Sequence, residues 1–312
     1  MSSDDCDKKR NTYRLKNPKN TNLRFFAYDV FKPGEIAFSR ISDFVKNCEY
    51  SSVDYSLNTM NSVPFLVKSF GKNYRTHGCF IKFNNNDSYD AYKIISEAKS
   101  KKLYRWDTIS IYNEKINVLF AKEDVIKFKY AENKGYYESM SDPMFVDCLK
   151  IICDNLIQIL NEGSFHTNFF NLQMNYMLLW SSIDRYIVFR YGKRNQQDNL
   201  MCLANEDIFK KAVFKFSDMK NEKPKVFSNE DYRSFELDKT KPLCCIRYYY
   251  TIRCNVVHTG KASFDDYKLL KKSLCELLLI YMYVLSYVLD ERDLFEKEFQ
   301  KMKELLIRKN IF

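Results

Sequence analysis

Short apolar stretches separated by polar ones dominate the first 135 residues of the chain. Stretches of this length that are rich in aromatic and β-branched residues are typical of β-strands. Four of them have this composition: LRFFAYDVF (23–31), PFLVKSF (64–70), CFIKF (79–83) and DVIKFKYA (124–131). A further segment, TISIYNEKINVLFA (108–121), predicts a hairpin that turns near Asn113 and Glu114.

One segment of the same region has helical spacing instead. In DSYDAYKIISEAKSKKL (87–103), Tyr92, Ile95 and Ala98 fall on one stripe of a helix. The strands and this helix together predict an α+β domain over residues 20–135.

From residue 136 onward the apolar spacing is that of helices. NKGYYESMSDP (133–143) is a predicted linker, and Asp142 and Pro143 suit the cap and first turn of a helix. The helix is predicted to run until Gly163. Its apolar stripe contains Phe145, Leu149, Ile152, Leu156 and Leu160.

A second helix is predicted between Thr167, a suitable cap, and Gly192. Its predicted buried stripe contains Phe170, Met174, Met177, Ile183 and Ile187. NEDIFKKAVFKF (205–216) predicts a shorter helix, and the polar run 217–241 predicts a loop or an insertion.

Two strong helical patterns complete the chain. Pro242 opens the first, which is predicted to stop at Gly260. Ser263 can cap the second, over residues 264–308, which would be roughly 65 Å long if it were unbroken. A domain of this size does not need such a length, so we expect a kink or break around LDERD (289–293).

The net charge of +10 is distributed unevenly. Residues 1–135 hold 24 Lys/Arg against 16 Asp/Glu, whereas residues 136–312 hold 26 against 24. A basic first half suits a polyanionic partner such as RNA, and a basic solvated surface is the alternative. Residues 1–19 are polar, and we expect them to form a disordered basic arm.

Composition excludes several classes of protein. The content of 7 Gly and 6 Pro argues against a collagen-like or disordered chain. Ten cysteines without CxxC spacing predict free thiols in a reducing cytoplasm.

The charged N-terminus does not resemble a signal peptide. The most apolar run (274–289) is shorter than a membrane span and carries Glu276, so we expect a buried helix and no membrane association. With no glycine-rich phosphate loop or metal-ligand cluster in the first half, we expect no metal and no cofactor.

Candidate chemistry lies in IRCNVVHTGK (252–261), where His258 follows Arg253 by five residues. A guanidinium offers a donor fork that fits phosphate oxygens, and an imidazole exchanges protons near neutral pH. RNA cleavage by its own 2′-hydroxyl requires both abilities and needs no metal. On an ideal helix this spacing separates the two side chains by about 140°. Either the last turn before Gly260 distorts, or a second copy of the chain brings another pair alongside.

This segment resembles the signature of the HEPN superfamily, the helical domains named for higher eukaryotes and prokaryotes nucleotide-binding. Ribonuclease members carry Arg, four to six residues and His near the end of the third main helix, and Arg253 and His258 have four residues between them. The long helices around the motif, including LLWSSIDRYIVFRYG (178–192), also resemble the family. The resemblance covers residues 136–290, a little over half of the chain.

The resemblance implies an all-α HEPN-like helical bundle over residues 136–312 that forms a homodimer. It also implies a metal-independent endoribonuclease, with Arg253 stabilising the phosphate and His258 moving protons. Small proteins of this kind often serve as toxins or antiviral effectors, with an inhibitory or activating partner. Family members often have a polar residue directly after the Arg, where this chain has Cys254. Either Asn255 takes that role or the site is weakened, and a non-catalytic module that binds RNA, a nucleotide or a protein is the alternative.

Four further residues are candidates for substrate binding or for support of the motif. Asn255 could bond the substrate or a partner motif, and a plain helix-end residue is the alternative. Lys261 could touch phosphate, or be an exposed lysine. Tyr249, in a run of three tyrosines, could stack on a base or pack in the bundle. Asp184 could orient Arg253 or His258, or pair within its own helix.

Overall fold

The computed structural model divides the chain into two compact units, Met1–Asp142 and Pro143–Phe312. The structure describes residues 14–60, 63–68, 75–123, 143–161, 165–192, 195–218, 222–229, 233–259, 264–289 and 292–309. Within these ranges the side chains of residues 59, 60, 63, 143, 144, 165, 257–259, 264 and 292–295 are not described.

The first unit is built on a mixed seven-stranded sheet. Its strands are β1 (Arg24–Ala27), β2 (Val45–Val53), β3 (Ser56–Met60), β4 (Val63–Val67), β5 (Thr76–Phe83), β6 (Tyr104–Ile111) and β7 (Glu114–Ala121). They follow the order β2-β5-β1-β7-β4-β3, and β6 also pairs with β7. Strand β7 is parallel to β1 and β4, and the other pairs are antiparallel. With helix α1 (Ser88–Ala98), this unit has the predicted α+β composition.

The predicted hairpin is confirmed as the β6–β7 pair, with Ile111 opposite Glu114. Tyr112 and Asn113 form the two-residue connection with φ of 48° and 66°. Two consecutive positive φ values are the geometry of a primed turn, whose twist matches that of the strands it joins. The turn therefore lies one residue earlier than the sequence predicted.

Two strands of the first unit were not predicted. The sequences of β2 and β3, VKNCEYSSV and SLNTM, carry few large apolar residues. Eight of the nine β2 residues are half-buried or exposed in an irregular order, because β2 is the outer strand of the described sheet and pairs with one strand, β5. A strand of this kind has little apolar periodicity to detect. The strand predicted at 124–131 lies outside the described residues.

Helix α1 is shorter than predicted, because Lys99 has extended backbone angles and the chain enters β6 at Tyr104. Its predicted stripe is correct for Tyr92 and Ile95, which are both buried. It is wrong for Ala98, which is exposed at the end of the helix.

The second unit is helical with one small sheet. Its helices are α2 (Pro143–Asn161), α3 (Phe165–Tyr191), α4 (Gln196–Asn205), α5 (Asp207–Phe216), α6 (Pro242–Thr259), α7 (Phe264–Val288) and α8 (Arg292–Arg308). Strands β8 (Lys225–Phe227) and β9 (Ser234–Glu236) form an antiparallel ribbon within the run 217–241, which was predicted as a loop or insertion. The second unit is therefore not the all-α unit that the sequence predicted.

The apolar stripe predicted for α2 is buried at Phe145, Leu149, Ile152 and Leu156. The stripe predicted for α3 is wrong at its beginning, because Phe170 and Met174 are 67% and 71% exposed. The following α3 residues are buried there instead: Phe169, Leu172, Asn175, Tyr176, Leu179 and Trp180.

The buried face of α3 includes a polar residue that apolar periodicity ignores. Asn155 Nδ2 donates to Asn175 Oδ1 at 3.0 Å, and Asn175 Nδ2 donates to the Asn171 carbonyl at 2.7 Å. These bonds compensate the burial of the amide between α2 and α3. Thr167 lies inside the first turn of α3, which begins at Phe165, and is not its cap.

Two other predictions about helices have clear outcomes. The break of the last helical pattern is confirmed, because α7 ends at Val288 and α8 begins at Arg292. The short helix predicted at 205–216 is confirmed as α5. Helix α4, whose cap Asn195 accepts a hydrogen bond from Asp198 N, was not predicted. Among the helices that the structure describes, none combines the length and apolarity that crossing a bilayer requires.

Candidate functional site

Helix α6 carries the Arg-x4-His motif, and its inner face anchors it in the second unit. The side chains of Cys245, Ile246, Tyr248, Tyr249 and Ile252 on this face are buried. Pro242 occupies the first helical position, where the missing amide hydrogen costs no helical bond. The packing leaves Arg253 half-buried. This residue lies six positions before Thr259, where the helix ends.

Tyr249 belongs to the buried anchor of this helix. Its hydroxyl donates to Glu276 Oε2 at 2.9 Å, and its carbonyl accepts a hydrogen bond from Tyr176 Oη at 2.9 Å. Its ring is fully buried. The tyrosine has no face on which a base could stack, and it holds α6 against α3 and α7.

Arg253 rests on an aromatic pair. Its guanidinium carbon lies 5.5 Å from the centroid of the Tyr250 ring, one helical turn earlier. The Tyr250 ring in turn meets the Trp180 ring edge to face, with 5.5 Å between centroids. A guanidinium stacked in this way keeps its in-plane N–H groups available to an acceptor.

Asp184 lies one turn after Trp180 on α3 and is electrostatically coupled to Arg253. Burial raises the pKa of the Asp184 carboxyl, and the positive charge of Arg253 acts in the opposite direction. The nearby Gln196 amide also lowers this pKa. The structure therefore brings the predicted pair Asp184 and Arg253 to one site.

Three buried N–H donors around this site make no hydrogen bond of regular geometry within the described residues, although Gln196 lowers the pKa of the nearby Asp184 and Trp180 lowers that of the nearby Tyr176. They are Trp180 Nε1 on α3, Gln196 Nε2 on α4 and Arg253 Nε on α6, and these three helices pack against one another. A buried donor without a partner costs about 1–3 kcal/mol. Tyr250 links Trp180 to Arg253, and Asp184 links Arg253 to Gln196. Arg253 is half-buried, so the other N–H groups of its guanidinium can bind an anionic oxygen while Asp184 holds the guanidinium in place.

Cys254 stands where family members often have a polar residue, and it lies beside the aromatic pair. Burial raises the pKa of Tyr250 to about 12, and the neighbouring Cys254 thiol is the next cause of the increase. The phenol of Tyr250 therefore stays protonated near neutral pH and remains a hydrogen-bond donor.

Asn255 points toward the ribbon. Its Nδ2 donates to the Phe227 carbonyl at 2.7 Å, and its Oδ1 accepts from Asn229 N at 3.1 Å. Two residues along a helix turn the side chain about 200° away from Arg253. Beside these bonds lies a cavity of about 280 Å³, lined by residues that include Phe227, Ile252 and Asn255. The structure therefore assigns Asn255 a contact with the ribbon on a different face from Arg253.

Two predicted residues have no described side chain. His258 belongs to the last turn of α6, but its side chain lies outside the described residues. Lys261 lies outside the described residues altogether.

Sequence reasoning missed Gln196 and the placement of Trp180. Gln196 belongs to α4, a helix that the apolar spacing does not reveal, so no signal pointed to it. Trp180 is fully buried, and its indole also forms one wall of the Arg253 site.

Within the described ranges, no group of three or more His, Cys, Asp or Glu side chains is arranged to hold a metal ion. The nine described cysteines are free thiols. Comparison of the chain with protein-family models, with curated proteins and with solved structures finds no match.

Proposed function

We propose that the second unit is a HEPN-like endoribonuclease domain that cleaves RNA without a metal. One observation carries this proposal. Arg253, one turn and a half before His258 on the same helix, is stacked on Tyr250 and coupled to Asp184, and its buried Nε has no acceptor among the described residues. An arginine that served only as a solvated helix-end charge would need none of these contacts.

The proposed reaction uses the RNA's own 2′-hydroxyl. A base removes the 2′ proton, the 2′ oxygen bonds to the adjacent phosphorus, and the bond from phosphorus to the 5′ oxygen breaks. An acid protonates the departing 5′ oxygen, so the products are a 2′,3′-cyclic phosphate and a 5′-hydroxyl. His258 moves the protons, and Arg253 stabilises the charge on the phosphoryl oxygens. Asp184 is a positioning residue that acts through Arg253.

The active enzyme is proposed to be a homodimer. On a regular helix the side chains of Arg253 and His258 diverge by about 140°, so one copy does not direct both at a single phosphate. Two copies related by a twofold axis would place the Arg253 of one beside the His258 of the other. By analogy with the resembled family, the enzyme would act as a toxin or antiviral effector under the control of a partner.

Cleavage of end-labelled RNAs in EDTA tests the proposal, with wild type beside Arg253→Ala and His258→Ala. We expect each substitution to lower the rate by about two orders of magnitude or more. Arg247→Ala, an exposed arginine on the same helix, and His77→Ala, an exposed histidine of the first unit, are the matched controls and should cut normally.

Cyclic-phosphate ends from wild type and loss of cutting in both motif variants would support the proposal. Cutting that survives both substitutions would place the activity elsewhere. A folded, dimeric wild type that binds RNA and never cuts it would favour the alternative, a non-catalytic binding module in which Arg253 contacts phosphate.

A further inference from the structure

A large groove lies within the first unit, far from the motif in sequence. Helix α1, strands β6 and β7 and the segment 14–19 enclose a cavity of about 1010 Å³. This is at the upper end of the range of about 300–1000 Å³ that small-molecule pockets occupy. The groove therefore has room for a large ligand.

The lining of this groove is strongly basic. Seven lysine or arginine residues line it against two carboxylates, Glu97 and Asp107. Both carboxylates are already engaged, since Arg14 Nη1 lies 3.2 Å from Glu97 Oε1 and Lys68 Nζ lies 2.6 Å from Asp107 Oδ2. Within the described part of the chain, the other lining lysines have no ion-pair partner: Lys16, Lys19, Lys93, Lys101 and Lys122. Their positive charge is thus directed at whatever occupies the groove.

The wall of the groove combines fixed and exposed aromatic rings. Trp106 Nε1 donates to Ser96 Oγ at 3.1 Å, and its ring packs edge to face on Phe25 and Tyr92. At the rim, Tyr89 is 61% exposed. Tyr89, Lys93 and Glu97 follow one another at four-residue spacing, so they share the face of α1 that lines the groove.

One donor in the wall, Arg105 Nε, makes no hydrogen bond with the described residues. Arg105 lies on β6, and its Nε is buried with no acceptor among the described residues. Its only described ion pair is long, at 3.9 Å from Nη2 to the largely exposed Glu123. The Arg105 side chain is 37% exposed, so its other guanidinium N–H groups can bind an anionic oxygen in the basic groove.

We propose that this groove binds single-stranded nucleic acid. Proteins that bind single strands combine a cationic groove that follows the phosphates with aromatic rings on which unpaired bases stack. Here the unpaired lysines and Arg105 would hold phosphates, Tyr89 would stack on a base, and the fixed edge of Trp106 would bound the base. A duplex keeps its bases stacked inside and could not use Tyr89. The proposal concerns binding and does not depend on cleavage by the second unit.

Fluorescence anisotropy with two labelled dodecamers, oligo(dT) and 2′-O-methyl oligo(U), tests this binding in the full-length chain. Neither probe has a free 2′-hydroxyl, so the proposed ribonuclease reaction cannot consume it. The variant is Lys93→Glu/Lys101→Glu. Its matched control is Lys46→Glu/Lys82→Glu, which changes two exposed lysines on β2 and β5 and gives the same net charge.

We expect the groove variant to bind about tenfold more weakly or worse, and the control variant to bind within about twofold of wild type. Loss of two phosphate contacts should also reduce the slope of log affinity against log salt by about 1.4. Tyr89→Ala should weaken binding by about fivefold or more, whereas Tyr50→Ala, an equally exposed tyrosine on β2, should not.

Three results would overturn the proposal: equal weakening by the two charge variants, unchanged binding by the groove variant, or equally tight binding of a twelve-base-pair duplex. A preference for the 2′-O-methyl probe over oligo(dT) would identify RNA as the source of the ligand, and the reverse preference would identify DNA. Circular dichroism of each variant separates a lost contact from a lost fold.

Discussion

The hydroxyl of Tyr249 donates a hydrogen bond of 2.9 Å to Glu276 Oε2, and both side chains are buried in the second unit. Asp218 N donates to the other carboxylate oxygen at 3.2 Å. Burial raises the pKa of Glu276 from its usual 4.5 to about 7, and the bond from Tyr249 opposes this increase. Burial of the carboxyl that anchors helix α6 below Arg253 thus makes the second unit sensitive to pH.

The raised pKa of Glu276 predicts that the free energy of unfolding of the second unit decreases as pH rises. The folded state has the higher pKa and holds the proton more tightly, so its contribution is fully present below pH 4.5 and is lost as pH rises through about 7. We expect a decrease on the order of 2 kcal/mol between these values. Urea unfolding at several pH values measures it, with Trp180 as the probe in a Trp106→Phe background, since the chain has 2 Trp.

Glu276→Gln removes the titration and should flatten this pH dependence. The bond from Tyr249 can be kept, and loss of the longer bond from Asp218 N shifts stability by an amount independent of pH. Glu304→Gln, an exposed glutamate on α8, is the control and should keep the wild-type slope. An unchanged slope in Glu276→Gln would show that another group causes the effect.

Asp184 and Arg253 should be energetically coupled. Since burial raises the pKa of Asp184 and Arg253 lowers it, Arg253→Ala should raise that pKa further and destabilise the second unit near neutral pH. A double-mutant cycle with Asp184→Asn should give a coupling of about 0.5–1 kcal/mol, because both side chains are partly exposed. The coupling should vanish below the pKa of Asp184, where the carboxyl is protonated.

The pair Arg247 and Asp184 serves as the control cycle and should show no coupling. Asp184 also tests the proposed function, because a positioning residue has a second readout. Asp184→Asn should shift the acidic limb of the pH–rate profile as well as reduce the rate, whereas a purely structural effect would reduce the rate equally at every pH.

Asn255 should hold the ribbon on helix α6. Asn255→Ala removes both bonds, to the Phe227 carbonyl and from Asn229 N, at a cost of about 1–2 kcal/mol. Hydrogen exchange should accelerate across residues 222–229 and 233–238, and Asn205→Ala, an exposed asparagine, should leave it unchanged. If RNA cleavage fell with no change in exchange, Asn255 would act on the substrate instead.

The buried ion pair of Lys99 and Asp29 should stabilise the first unit only as a pair. Their side chains are 8% and 1% exposed, and Lys99 Nζ also lies 4.8 Å from the Tyr104 ring centroid. Lys99→Met leaves a buried carboxylate unpaired and should cost about 3–5 kcal/mol. Lys99→Met/Asp29→Asn should recover part of this loss. Trp106 fluorescence in a Trp180→Phe background reports the first unit, and Lys82→Met is the exposed control.

Local patterns predicted the elements whose chemistry is local. The hairpin at 108–121 and the break of the last helix were both identified, because turn residues and polar interruptions act within a few positions. Four of the five residues predicted for the stripe of α2 are buried and Leu160 is half-buried, since a strongly amphipathic helix faces one core. Strand β2 escaped prediction because an outer strand alternates weakly.

For the candidate site, the sequence identified Arg253 and Asp184, but their nearness depends on how α3 packs against α6. Apolar periodicity predicted that Phe170 and Met174 lie on the buried face of α3. In the structure Tyr176 and Trp180 are buried instead. Helix α2 supplies a hydrogen-bond partner for Asn175, and helix α6 supplies one for Tyr176. That rotation places Asp184 beside Arg253.

The chain chemistry alone thus established the mixed first half, the helical second half and an Arg-x4-His motif near a helix end. Tertiary packing decided which side of each helix is buried and which donors are left without an acceptor. It also decided that lysines from α1 and from the segment 14–19 line one groove with β6. The reason is physical. Helical period and turn propensity depend on neighbours in sequence, whereas burial and electrostatic coupling depend on neighbours in space.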